Sequence, residues 1–177
     1  DAARRAGIAV VHQHTHLIPD LTVAENYALR QGYPRSPLGT IGWGRIRRLA
    51  AESLDRLIPS VSVERDARSL SGVEKQMVEL AFGLASAPRI LILDEPTAVL
   101  PHAETERLFQ GVREYVAGGG AVLFVSHRLD EIFTLASEVT VLRDGRLVWN
   151  KAIGETDHDD LIRAMVGRSV SFERDPD

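Results

Sequence analysis

Four apolar residues, Ile90-Leu91-Ile92-Leu93, run directly into two carboxylates, Asp94 and Glu95, and then into Pro96 and Thr97. A short apolar run with turn residues behind it reads as a buried strand. Its end therefore delivers two acids to the edge of a sheet. Desolvating a carboxylate costs on the order of several kcal/mol unless a cation meets it. A second apolar run, Val122-Leu123-Phe124-Val125, ends in Ser126 and His127. In nucleotide hydrolases the cation is Mg²⁺ on a triphosphate, and a second strand ending in a polar residue completes the site. The pairing points to ATP hydrolysis. Taken alone, the two carboxylates also fit a solvated strand end or a helix cap.

The other half of that chemistry is a loop of the form G-x-x-x-x-G-K-[ST], which needs a lysine directly after a glycine. The sequence holds two lysines, and Lys75 follows Glu74 while Lys151 follows Asn150. The stretch Gly39-Thr40-Ile41-Gly42-Trp43-Gly44-Arg45 has glycines but no lysine. No loop here can wrap the β- and γ-phosphates. Because the first residue is Asp1 rather than Met, the expectation is a chain shortened at its N-terminus, with the phosphate loop upstream.

Composition narrows the class. A chain of 177 residues with 44% hydrophobic content can build one core. A net charge of −4 leaves no electrostatic footprint for nucleic acid. No apolar run approaches the roughly 18 residues of a membrane span. The absence of cysteine excludes disulfides and zinc–thiolate sites.

Periodicity and capping signals order the chain. Ile8 to His12 reads as a strand. Thr22 with Glu25 forms a capping box for a helix to about Gln31. Gly32 to Gly44 reads as a loop, and Arg45 to Ile58 as an amphipathic helix ended by Pro59. Ser71-Gly72-Val73-Glu74 is a second capping box, opening a helix that ends near Pro88. Arg89 to Leu93 and Ala121 to Ser126 are strands around a helix over His102 to Ala117. A helix from Leu129 to about Ala136 precedes a hairpin of Val139 to Leu142 and Arg146 to Trp149, turned at Asp144-Gly145. Asp157 to Val166 is a final amphipathic helix. Strands alternating with helices predict an α/β fold with a parallel sheet and crossover helices.

Several of these stretches together resemble the ATP-binding subunits of ABC transporters. They are Gln13 after its strand, Leu17 to Asn26, Leu70-Ser71-Gly72, Leu91 to Thr97, Phe124 to Phe133 and Val139 to Gly145. The last two are similar to the first cassette of the tandem ATPases that power ribose-, galactose- and xylose-type sugar importers. The resemblance covers nearly the whole chain. It implies a P-loop NTPase-like sheet with an inserted helical subdomain, here lacking the N-terminal β part. Residues 1–177 would form a partial cassette, with 1–20 and 88–150 as sheet core. Residues 21–70 would be the helical insert, with the signature helix to about 87 added, and 151–177 a C-terminal helix and tail.

The resemblance also implies roles. Asp94 would hold Mg²⁺ through water, with Gln13 as a second ligand. Glu95 would be the general base for attack on the γ-phosphate, worth roughly 10²–10⁴ in rate. His127 would hydrogen-bond the γ-phosphate and the attacking water. Ser71, Gly72, Val73 and Glu74 stand where the family presents Leu-Ser-Gly-Gly-Gln to the partner cassette's γ-phosphate at a helix N-terminus. Here Val73 and Glu74 depart from the pattern, and the capping box by itself also accounts for Ser71 and Glu74. Pro101 replaces an acid that often bridges the two halves. His12, His14 and His16 would face one side if extended, a spacing that suits a transition metal.

The expected function is ATP-driven import of a monosaccharide, with ATP and Mg²⁺ as cofactors. The expected partners are a second cassette, the transmembrane permease and, indirectly, a periplasmic or extracellular sugar-binding protein. Nucleic acid is not among them. The chain would lie peripherally on the cytoplasmic face of the cell membrane. The alternatives are an inactive truncated cassette and a soluble ABC ATPase of ribosomes or DNA, against which the net charge argues.

Overall fold

The computed structural model describes residues 5–12, 15–35 and 39–166. It separates into two compact units, residues 1–125 and 126–177. In the first unit, strands β1 (Ile8–Val11), β2 (Ile90–Asp94) and β3 (Ala121–Val125) form a parallel sheet in the order β1-β2-β3. The register sets Val11 beside Leu93 and Leu93 beside Phe124, with Asp94 beside Val125. Parallel neighbours need long crossovers. The first crossover carries helices α1 (Val23–Gln31), α2 (Trp43–Leu54) and α3 (Gly72–Ala85), and the second is helix α4 (His102–Ala117). The predicted α/β class with a helical insert is the observed one.

Local hydrogen bonds explain where the helices start. Thr22 and Ser71 each accept from the backbone N–H three residues on, while Glu25 and Glu74 reach back to the cap. Both capping boxes form as expected. Helix α2 departs from expectation. It begins at Trp43 and stops at Leu54, four residues before Ile58. Leu57 and Ile58 are buried but in a turn, their N–H groups donating to the Leu54 carbonyl. The apolar spacing continued past the helix because the turn keeps the same side chains in the core.

One face of the sheet is packed. Val11, Leu91 and Leu93 are buried beneath α3, together with Met77, Leu80 and Phe82. The helix lies close because position 83 is glycine: a Cβ there would come within 2.6 Å of Val11 Cγ2. On the other face Ile90, Leu123 and Val125 remain 41, 55 and 43% exposed. Ile46, Ala50 and Leu54 of α2 close the core of the insert against Ala24 and Ala28 of α1.

The second unit consists of helix α5 (Leu129–Leu135), strands β4 (Glu138–Arg143) and β5 (Arg146–Ala152), and helix α6 (His158–Val166). The hairpin turns at Asp144 and Gly145, both at positive φ (51° and 73°), as a two-residue turn of matched twist requires. Val139, Val141, Leu161 and Ala164 form its core, with Ile132, Phe133 and Trp149 packed around it. The Asp157 carboxylate accepts from the Asp160 N–H and caps α6. Among the described residues no helix is long and apolar enough to cross a membrane.

Candidate functional site

Strand β2 lies between β1 and β3, and its last residue is Asp94. The chain does not simply leave the sheet there. Glu95 donates its N–H to the Val125 carbonyl at 2.9 Å while adopting a φ of 45°. A left-handed conformation is uncommon for a residue with a side chain. It costs about 1–3 kcal/mol and persists where the surroundings force it, often at functional sites. The surroundings here are identifiable: the β3 carbonyl on one side, buried Pro96, Thr97 and Leu100 on the other. The Leu100 N–H closes the turn on the Thr97 carbonyl at 3.0 Å. Asp94 and Glu95 are therefore adjacent, half-buried carboxylates on a rigid corner at the C-terminal edge of the sheet.

The second cluster is the N-terminus of α3. Ser71 and Gly72 are exposed, and a Cβ at Gly72 would meet nothing within 4 Å. Glu74 is fully engaged. One oxygen accepts from the Ser71 N–H at 2.7 Å and the other pairs with Arg65 at 2.7 Å. The Arg65 guanidinium, then the Ser71 N–H, hold the Glu74 carboxyl below its usual range. Arg65 also donates to the Ser69 carbonyl at 2.9 Å. Glu74, which departs from the family pattern, thus has a counter-cation nine residues earlier in the chain, outside any motif spacing.

Gln13 and His14 lie outside the described residues. Asn26, buried in α1, accepts from the Ile18 N–H at 2.7 Å and donates to the carbonyls of Ile18, Leu21 and Thr22. Glu79, a buried carboxylate in the middle of α3, accepts from the His16 N–H at 2.7 Å and pairs with Arg30 of α1. Neither Arg30 nor Glu79 was singled out by motif. A charged residue on the buried face of an apolar helix was the only available signal. His12 and His16 meet edge to face at 5.2 Å between centroids. Among the described residues no group of three or more His, Cys, Asp or Glu side chains is placed to hold a metal ion.

His127 belongs to the second unit and is exposed. Its neighbour Ser126 donates to Glu131 at 2.8 Å and accepts from the Arg128 N–H at 3.0 Å, which shapes the entry to α5. Glu131 is itself buried and paired with Arg128. The structure thus brings Asp94 and Glu95 together, and Ser71 to Glu74 together, each within the first unit.

Comparison with known proteins accords with this architecture. The family model described as ABC transporter matches residues 1–98. The ribose import ATP-binding protein RbsA of Chromobacterium violaceum is 43% identical over 171 residues, covering 96% of this chain and 34% of that protein. The ribose import ATP-binding protein RbsA 2 of Streptomyces avermitilis is 45% identical over 168 residues, covering 95% and 33%. The chain thus spans about a third of the length of these curated relatives. Among solved structures, an ATP-binding subunit of an ABC transporter superposes with a TM-score of 0.71 at 21% identity, over 92% of this chain and 63% of that one. With the family model covering more than half of the residues and two-fifths identity extending over nearly all of them, the chain belongs to the ABC transporter family.

Proposed function

We propose that this chain is the larger part of an ATP-hydrolysing cassette that energises import of a monosaccharide. The single observation that carries the reading is the corner at Asp94 and Glu95. Two carboxylates end the middle strand of a parallel sheet, and the second is held left-handed by the Val125 carbonyl. Ligands of open α/β sheets bind beyond the carboxyl ends of the strands. A glutamate at that edge can accept a proton from water attacking a γ-phosphate.

The donor set suits a hard cation. Asp94 is a half-buried carboxylate oxygen donor, and among the described residues no Lys or Arg forms an ion pair with it. Asp94, with Gln13, would hold Mg²⁺, whose contribution when bound is to neutralise charge on the phosphate oxygens. Glu95 would take the proton, and His127 would orient the water and the γ-phosphate. Ser71, Gly72, Val73 and Glu74 would meet the nucleotide held by a second cassette.

The loop that wraps the phosphates must come from outside these residues, because no lysine here follows a glycine. The open apolar face at Ile90, Leu123 and Val125 supports further chain packing on the sheet, since parallel sheets are covered on both faces. Residues 21–70 would be the helical insert, 1–20 and 88–150 the sheet core, and 151–177 the closing helix and tail. The relatives' names, ribose import ATP-binding proteins, support a sugar as the cargo, and the reading expects a second cassette, a permease and, indirectly, a sugar-binding protein as partners. A peripheral position on the cytoplasmic membrane face goes with them. The test is Glu95→Gln in the intact ATPase. Nucleotide affinity should stay within roughly twofold while turnover falls roughly 10²–10⁴-fold. Near-normal turnover would show that Glu95 is not the base.

A further inference from the structure

Glu131 is a buried carboxylate, 4% exposed, and no part of the proposed hydrolytic chemistry uses it. An ionised carboxylate only accepts, so the Ser126 hydroxyl donates to it, at 2.8 Å. The Ser126 oxygen then accepts in turn, taking the Arg128 N–H at 3.0 Å. The Arg128 guanidinium comes back to the other Glu131 oxygen at 3.1 Å. The backbone closes the ring, because the Glu131 N–H donates to the Arg128 carbonyl at 3.2 Å. Between Ser126 and Arg128 stands His127, which is exposed.

One carboxylate therefore holds the residues on both sides of His127. We propose that Glu131 is a positioning residue that fixes the Ser126–Arg128 turn and so sets the direction in which the His127 imidazole leaves the backbone. This deepens the hydrolase reading and rests on it for the role of His127. Stability alone does not account for Glu131, since desolvation consumes most of the attraction in a buried ion pair. Nor does capping. Glu25 and Glu74, each third in its helix, bond back to the N-cap N–H. Glu131 is also third in its helix, but the N-cap of α5 is Arg128, with no side-chain cap bond, and the carboxylate reaches past it to Ser126.

The consequence concerns turnover rather than binding. Misplacing a water-orienting group by about an ångström costs roughly ten- to a hundredfold in rate. The experiment uses the intact ATPase with Glu131→Ala, Glu131→Gln, His127→Ala, and Glu131→Ala combined with His127→Ala. Each is measured for kcat, KM for MgATP and melting temperature. A second readout is independent of activity: the His127 ring Cε1–H resonance in protein carrying ¹³C-labelled histidine, assigned by its loss in His127→Ala. Glu131→Gln serves as the conservative variant, because its amide oxygen keeps an acceptor for the Ser126 hydroxyl. Ser126→Ala cuts the same hold from its other end and replaces Glu131→Ala if that variant does not fold.

The expected result is a kcat lowered roughly tenfold or more in Glu131→Ala, with KM within roughly twofold and the His127 resonance moved. Glu131→Gln should lose less. In the His127→Ala background, Glu131→Ala should cost nothing further, because its effect passes through His127. Full additivity of the two losses would overturn the proposal, as would an unmoved resonance or a lower melting temperature with no change in kcat. Failure of the underlying reading has a different signature: His127→Ala alone would leave kcat intact, and the resonance would then decide by itself whether Glu131 holds the ring.

Discussion

Gly83→Ala is the most direct probe of how helix α3 seats on the sheet. In an exposed helix this exchange would stabilise by about 1 kcal/mol, because alanine loses less backbone entropy than glycine. At position 83 the new methyl would lie 2.6 Å from Val11 Cγ2 and 3.6 Å from Leu91 Cδ1. Contacts below 3.0 Å do not persist, and the opposing atom belongs to Val11, a short branched side chain that is itself buried. Overpacking of this kind costs about 1–3 kcal/mol, so after the propensity gain the net should be a loss of up to about 2 kcal/mol. Val11→Ala removes the obstructing methyl. Alone it should cost about 1–2 kcal/mol as a cavity, and combined with Gly83→Ala it should be no worse than alone, a coupling equal to the whole Gly83→Ala loss. The assay is urea unfolding followed by the fluorescence of Trp43, with Trp149→Phe as background so that only the first unit reports. A stabilised Gly83→Ala, or losses that simply add with Val11→Ala, would refute the close approach of α3 to β1.

Three further outcomes follow from the same contacts. Glu25 and Glu74 are held below their ordinary range, Glu25 by the Thr22 N–H and hydroxyl and Glu74 by Arg65 and the Ser71 N–H. Their stabilisation is present above the unfolded carboxylate pKa and is lost as pH falls through the folded one. Melting temperature should therefore drop between about pH 5 and pH 3, less steeply in Glu25→Gln and Glu74→Gln. An unchanged slope in both variants would count against the pairings. Asn26→Leu strips the Ile18 N–H of its acceptor in a part-buried place and should cost about 1–3 kcal/mol by denaturant midpoint; Asn26→Asp, which sets an anion among three carbonyls, should do no better. If Ser71 to Glu74 meet a partner cassette's nucleotide as proposed, Val73→Gly in the intact ATPase should raise turnover at that site, while Glu74→Gln alone should change it little, because Arg65 already balances that charge; single-site turnover with the other site disabled measures both.

The helix starts and the hairpin were legible because their causes are local. A threonine or serine three residues before a glutamate satisfies the first N–H groups of a helix from within four residues, so Thr22, Glu25, Ser71 and Glu74 could be read directly. Asp144-Gly145 announces its turn because both residues tolerate positive φ. The strand ending in Asp94 and Glu95 was legible for a related reason, as few other contexts place two acids after four apolar residues. Helix α2 was misjudged at its end because periodicity reports which side chains are buried, and Leu57 and Ile58 are buried without being helical.

Tertiary structure alone decided the rest. Arg30 and Glu79 stand 49 residues apart, and Glu79 and His16 stand 63 apart. No spacing rule links them, since they meet only after α1 and α3 pack on β1. The same holds for Gly83, whose lack of a side chain matters only because Val11 arrives beside it. Glu95 is likewise left-handed because β3 presents the Val125 carbonyl to its N–H. Residues that bond within one turn of chain declare themselves in the sequence. Residues whose partners come from another element become readable only once packing has fixed which elements touch.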